Sequence, residues 1–260
     1  MIDCFTLEEI CREAGSIAMR QWPGDGHSPD VWNKTGGSPV CAADLAVDAF
    51  LKRELTALLP GAGWLSEETA DNADRLACDH VWVVDPIDGT RDFIRGRRGW
   101  AVSVALIAHG RPAAGVLVAP ARDEWWCARA GEGASLNGEP LAASTRTDFP
   151  GARVPADSLM KEDRDLSLVE KPNSIALRAA MVGADRADLV ATLRWGYEWD
   201  IAAAALIAQE AGAQVSDAFG QDLAFNKADP RAFGLLITAP AIHQAAVERL
   251  AERAGRYSKA

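Results

Sequence analysis

The run Val81-Trp82-Val83-Val84-Asp85-Pro86-Ile87-Asp88-Gly89-Thr90 carries the most information in this chain. Its apolar start predicts a buried strand, and the strand ends in two carboxylates three residues apart. Backbone carbonyls also point outward at such an edge, so hard cations find oxygen ligands there. Pro86 stiffens the turn, and Gly89 lets backbone approach a ligand closely. A helical turn beginning after Thr90 would direct free N–H groups at a phosphate. Taken alone, Asp-x-x-Asp also fits an ordinary strand-to-turn transition with surface aspartates. The rest of the chain has to decide between these.

Upstream, Thr6-x-x-Glu9 predicts a capping box opening an amphipathic helix that runs to about Trp22, before Pro23-Gly24. A second helix is expected from Ala42 to Leu59, stopped by Pro60-Gly61. Strands are expected at Gly63–Ser66, His80–Asp85, Trp100–Ala108, Ala113–Ala119 and Glu124–Ala128. Hairpin turns at His109–Pro112 and Pro120–Asp123 make the middle of the chain an antiparallel sheet. The polar, Pro/Gly-containing stretch Ser144–Pro150 marks a boundary between halves. Beyond it the pattern predicts helix at Asn173–Val182, strand at Ala187–Leu193 and an Ala-rich helix at Asp200–Ala211. Short strands near Gln214 and Phe233 precede a closing helix from about Pro240. The first half therefore reads as α+β and the second as α/β.

Three further acids stand where they could join Asp85 and Asp88. Glu67 follows a predicted strand in Leu65-Ser66-Glu67-Glu68, although an acidic loop explains it equally. Asp200 precedes Ile201-Ala202-Ala203-Ala204, where helix capping is an alternative role. Asp44 lies near a helix start, where the helix dipole favours an acid regardless of function.

The 260 residues suffice for a large core, and 48% hydrophobic with 25% charged residues is ordinary globular composition. A net charge of −10 argues against nucleic-acid polymers, which require a basic surface. It also conflicts with an anionic substrate unless a basic patch or bound cations intervene. No apolar run reaches the roughly 18 residues of a membrane span, so no membrane association is expected. Met1-Ile2-Asp3-Cys4 does not begin a secretion signal, and the five cysteines form no CxxC pair. Both point to buried thiols and a reducing, cytoplasmic location.

With Ser66-Glu67-Glu68 ahead and Trp199-Asp200 far behind, Asp85-Pro86-Ile87-Asp88-Gly89-Thr90 resembles the inositol monophosphatase superfamily, in that family's order and spacing. The likeness extends from Lys34-Thr35-Gly36-Gly37-Ser38-Pro39-Val40 to Glu210-Ala211-Gly212-Ala213. Leu65–Glu68, Asp88-Gly89-Thr90-Arg91-Asp92-Phe93 and Tyr197-Glu198-Trp199-Asp200 are most similar to the CysQ-type 3′(2′),5′-bisphosphate nucleotidases. Those enzymes convert 3′-phosphoadenosine 5′-phosphate to AMP and phosphate.

The resemblance implies a five-layered α-β-α-β-α sandwich, with residues 1–147 forming a metal- and phosphate-binding domain and 148–260 a domain completing the site. It implies a homodimer inhibited by Li⁺. Glu67, Asp85, Asp88, Asp200 and the Ile87 carbonyl would hold two or three Mg²⁺ ions. The Gly89 and Thr90 N–H groups would hold the phosphate, and Asp44 and the Thr90 hydroxyl, with Glu67, would orient and activate water. A non-catalytic relative would be expected to lack Glu67, Asp88 or Thr90, and all three are present.

Three segments depart from that pattern. Cys41 stands where the family usually has threonine. Arg153-Val154-Pro155-Ala156 replaces Ser-Arg-Ser-His, and Pro172–Arg178 replaces a glycine-serine stretch before a lysine. Arg178 keeps the positive charge, either to meet a second phosphate bidentately or to pair with a neighbouring acid. Lys34 could touch the metal site or remain a solvated loop residue. Trp82 and Trp100 read as core, leaving Trp195 and Tyr197 as candidates for base contact. No histidine has a partner suggesting catalysis. The departures lie on the side facing sugar and base, so inositol 1-phosphate, histidinol phosphate and fructose 1,6-bisphosphate also fit the fold.

Overall fold

A computed structural model describes residues 3–24, 26, 31–33 and 39–259. Lys34 and His27 lie outside the described residues. Helix α1 (Cys4–Met19) is followed by a hairpin, β1 (Val31–Asn33) with β2 (Pro39–Cys41), and by α2 (Ala42–Leu58). The main sheet runs in chain order through β3 (Gly63–Ser66), β4 (His80–Asp88), β5 (Ala101–Ala108), β6 (Arg111–Ala119), β7 (Glu124–Arg129), β8 (Gly133–Leu136) and β9 (Glu139–Pro140). Only the β3–β4 pair is parallel; the others are antiparallel. A single helical turn, α3 (Thr90–Ile94), links β4 to β5.

In the second half, β10 (Arg153–Pro155) and β11 (Ser167–Val169) form a small parallel pair. Helix α4 (Ile175–Gly183), strand β12 (Leu189–Tyr197), helix α5 (Glu198–Glu210), strands β13 (Gln214–Ser216) and β14 (Arg231–Thr238) and helix α6 (His243–Tyr257) complete the chain. The second sheet has the order β12-β14-β13.

The unbroken apolar start of β4 follows from its position between two helical layers. Trp82 and Val84 pack with Leu7, Cys11, Leu51 and Leu55 of α1 and α2. Val81 and Val83 face the opposite way, onto Ala180 of α4 and Ala204 and Ile207 of α5. Alternating side chains thus bury both faces of the strand. Helix α5 lies between the two sheets and is buried from Ile201 through Ala208, as expected of a helix apolar all round. Its alanines permit a close approach, since a Cβ added at Gly115 of β6 would lie 3.1 Å from the Ala203 Cα. The outer face of the second sheet is covered by α6, through Leu189, Leu236, Ala246 and Leu250. The layers are therefore α1/α2, main sheet, α4/α5, second sheet and α6, the expected five-layered arrangement. Among the described residues no helix is long and apolar enough to cross a membrane.

Several element boundaries differ from the expectations. Helix α1 starts before Thr6, because the Asp3 carboxylate accepts from the Phe5 and Thr6 N–H groups and caps it there. It ends at Met19 rather than Trp22. Strand β12 starts two residues later than expected and runs four residues further, through an irregular register between Thr192 and Trp195. Strands β8 and β9 were not expected; they are short and set off by Gly131, Gly133 and Gly138 at positive φ.

Candidate active site

The parallel register of β3 and β4 pairs Ser66 with Val84, so Glu67 and Asp85 emerge side by side. Glu67 N–H donates to the Val84 carbonyl at 3.2 Å. The first turn of α5 brings Asp200 to the same point. Ligand oxygens of Glu67, Asp85 and Asp200 all lie within 4.8 Å of one another. Asp200 is not the N-cap that the sequence suggested. It is the third residue of α5, and its Oδ2 accepts from the Tyr197 N–H at 2.9 Å, because β12 continues to Tyr197.

The β4–β5 register breaks between Asp85 and Asp88, where Pro86 and Ile87 bend the strand. The Asp85 Oδ1 accepts from the Ile87 N–H at 3.0 Å. Asp88 turns toward the second half of the chain. Its Oδ2 accepts from the Ser174 hydroxyl at 2.6 Å and the Ala176 N–H at 2.7 Å. Gly89 then takes φ 93° as the N-cap of α3. A Cβ there would meet the Gly99 carbonyl oxygen at 2.7 Å and the Ser174 nitrogen at 2.9 Å, so only glycine fits. The Thr90 hydroxyl donates to the Ile87 carbonyl at 3.0 Å. Asp44, in the first turn of α2, is buried and accepts from the Cys41 N–H at 2.8 Å and the Cys41 thiol at 2.9 Å. The structure thus gathers Asp44, Glu67, Asp85, Ile87, Asp88, Gly89, Thr90 and Asp200 around one region.

The electrostatics of this cluster are those of crowded anions. Burial raises the Asp85 pKa well above the usual carboxylate value, and Glu67, Asp88, Asp200 and Asp44 push it further. Burial lifts Asp200 to about 7, with Asp88 adding to the rise. Asp88 reaches only about 6, because hydrogen bonds from Ser174 and Ala176 and the charge of Arg178 oppose its burial. An oxygen-only donor set of converging carboxylates fits a hard divalent cation. On that chemistry Glu67, Asp85 and Asp200 fit a metal site.

The cluster opens into a cleft of about 700 Å³, within the range of small-molecule sites. The cleft is also lined by Lys171, Arg178 and Arg194, and Arg178 and Arg194 act electrostatically on Asp88 and Asp200. Arg178 is partly committed, donating to the Ser174 and Asn173 carbonyls at 3.3 and 3.2 Å. Burial lowers its pKa; Asp88 counteracts this, and Arg194 lowers it further. Lys171 pairs with Asp157. Arg194 makes no hydrogen bond or ion pair to any described residue, a role the sequence reading overlooked. Its place beside Trp195 and Tyr197 in Arg194-Trp195-Gly196-Tyr197 was the available signal. Trp195 and Tyr197 are 49% and 42% exposed and border the same cleft. The Tyr197 ring stacks on Trp199, with centroids 4.4 Å apart. Ser174 was also overlooked, because a helix-capping serine has a sufficient local role without a site. Trp82 and Trp100 are fully buried in the core, as expected.

The inositol monophosphatase family model matches residues 4–257. A Streptomyces griseus protein named glucose-1-phosphate thymidylyltransferase is 36% identical over 211 residues, covering 76% of this chain and 80% of that protein. The fructose-1,6-bisphosphatase/inositol-1-monophosphatase of Thermotoga maritima is 32% identical over 235 residues, covering 84% and 86% of the two chains. The 3′(2′),5′-bisphosphate nucleotidase CysQ of Escherichia coli is likewise 32% identical, over 232 residues, covering 84% and 92%. Among solved structures, a Thermotoga maritima inositol monophosphatase superposes with a TM-score of 0.82 at 28% identity, covering 96% of this chain and 97% of its own. The paired strand ends, the acids they carry, the layered fold and this near full-length match lead to one conclusion: the chain belongs to the inositol monophosphatase family.

Proposed function

We propose that this phosphatase is a Mg²⁺-dependent 3′(2′),5′-bisphosphate nucleotidase, hydrolysing 3′-phosphoadenosine 5′-phosphate to AMP and phosphate. The observation that carries the substrate is the set of cations and exposed rings that line the cleft together with the acids. Arg178 and Arg194 offer positive charge there, and Trp195 and Tyr197 offer exposed rings. A nucleoside bisphosphate has a second dianion and an aromatic base to match both.

In this reading Glu67, Asp85, Asp88, Asp200 and the Ile87 carbonyl hold Mg²⁺, which when bound supplies Lewis-acid charge to the phosphate and lowers the pKa of water. The Gly89 and Thr90 N–H groups hold the scissile phosphate in line. Asp44 and the Thr90 hydroxyl, with Glu67, orient the attacking water, and its proton passes to a carboxylate of that group. The water oxygen forms the new bond to phosphorus, and the 3′ ester oxygen leaves with the bond electrons and gains a proton. Tyr197 and Trp195 contact the base, and Arg194 and Arg178 meet the 5′-phosphate.

A second reading, an inositol or sugar phosphate as substrate, is favoured by the Thermotoga maritima relative, which matches at the same 32% identity as the nucleotidase. Phosphate release with Mg²⁺ should be measured on 3′-phosphoadenosine 5′-phosphate, AMP, inositol 1-phosphate, histidinol phosphate and fructose 1,6-bisphosphate. The proposal expects kcat/KM to be far highest for the adenosine bisphosphate. Preference for inositol 1-phosphate would leave the metal ligands in place and overturn the substrate.

A further inference from the structure

Asp48 lies one turn beyond Asp44 on α2 and is only 7% exposed, yet it does not line the cleft. Its oxygens are divided between two hydroxyls. Oδ1 accepts from Ser66 Oγ at 2.5 Å, and Oδ2 accepts from Thr69 Oγ1 at 2.6 Å. Those two residues bracket Glu67-Glu68. The Ser66 hydroxyl in turn accepts from the Glu68 N–H at 3.3 Å. The loop bearing Glu67 is therefore clamped at both ends by one buried carboxylate on a neighbouring helix.

Burying a carboxylate is costly unless its oxygens are hydrogen-bonded, and hydrogen bonds to an ionised acceptor are the strong ones. An apolar side chain would fill the same helix position at less cost to the fold alone. We propose that Asp48 is a positioning residue that holds the Glu67 segment in the geometry needed to bind a divalent cation. This rests on the reading of Glu67 as a metal ligand. Helix α2 then serves the site twice, one turn apart: Asp44 faces the cluster and Asp48 braces the loop. Without the brace, binding must first order the loop, and affinity falls by that cost.

The test is Mg²⁺ binding to the metal-free protein by calorimetry, together with thermal unfolding. Asp48→Ala is expected to weaken Mg²⁺ binding by roughly 10–100-fold, the usual effect of losing a group that orients a ligand. Thr69→Val should reproduce part of that loss. Combining Ser66→Ala with Asp48→Ala should add little, because both remove the same clamp. Asp48→Asn should recover part of the affinity, since its amide oxygen can accept from one hydroxyl. Unchanged Mg²⁺ affinity with a lowered Tm in Asp48→Ala would make Asp48 merely structural and overturn the proposal. Absence of Mg²⁺ binding by the unaltered protein would instead remove Glu67 as a ligand, and the proposal with it. If Asp48→Ala does not fold, Thr69→Val carries the same comparison.

Discussion

Asp88 and Asp200 show how a residue's surroundings set the pH at which it ionises. Asp200 has a folded pKa of about 7 and Asp88 of about 6, both above the ordinary 3.8. A raised carboxylate favours the folded state while it is protonated. As pH rises from 3.8 through the folded value, the unfolded chain ionises first and that contribution is lost. The metal-free protein therefore loses stability from these two groups between about pH 4 and pH 7. A bound cation requires the ionised form, so protons compete with it below the same values. Added Mg²⁺ should raise Tm little at pH 5.5 and increasingly up to about pH 7.5, then level off. Thermal unfolding in EDTA and in Mg²⁺ across that range checks this. A Mg²⁺-induced rise that is flat with pH would show that these carboxylates do not take up the ion.

At the scale of elements, the cluster is assembled by three strand or helix ends and steadied by a fourth. The N-cap of α4, Ser174, is fully buried; its hydroxyl accepts from the Leu177 N–H at 2.9 Å and donates to Asp88. Ser174→Ala removes a cap and a buried donor at once. It should cost about 1–2 kcal/mol by urea unfolding and lower kcat/KM as Asp88 loses its anchor. Full stability together with full activity would contradict both roles. Strands β3 to β7 of the main sheet were legible in the sequence because their apolar runs and hairpin turns are local signals, and β3 matches the expected Gly63–Ser66; the short β8 and β9 were not. The later half of β12 was not legible. It is an edge strand with exposed Arg194, Trp195 and Tyr197, so its apolar pattern fades after Val190. That lost boundary made Asp200 resemble a cap when it is the third helical residue. The acids of the cluster could be read from their motifs. Ser174 and Asp48 could not, since their partners lie 86 and 18 residues away in sequence.

On the scale of the whole molecule, the net charge of −10 conceals an uneven distribution. Four arginines, Arg91, Arg95, Arg97 and Arg98, fall within eight residues and are exposed. Of these, only Arg97 has a carboxylate within reach among the described residues, Asp92 at 3.9 Å. Arg91, at the start of this segment, lines the cleft. Thr90 lines it as well, and the Gly99 carbonyl accepts from the Ser174 N–H at 2.8 Å. With a rise of about 1.5 Å per residue along α3, Arg95 lies within roughly one Debye length of Thr90. Lys171, Arg178 and Arg194 add positive charge on the cleft wall. Arg91, Lys171, Arg178 and Arg194 thus place positive charge among the carboxylates that line the cleft. Such a field raises the encounter rate and local concentration of anionic substrates, and salt screens it. At saturating Mg²⁺, kcat/KM for a bisphosphate should fall several-fold between about 0.02 and 0.2 M ionic strength, and more steeply than for a monophosphate. Replacing Arg95 and Arg98 by Gln should flatten the bisphosphate dependence while leaving kcat near its original value. Equal salt slopes before and after the replacement would mean that Arg95 and Arg98 do not guide the substrate, and that the guiding charge comes from the residues lining the cleft alone.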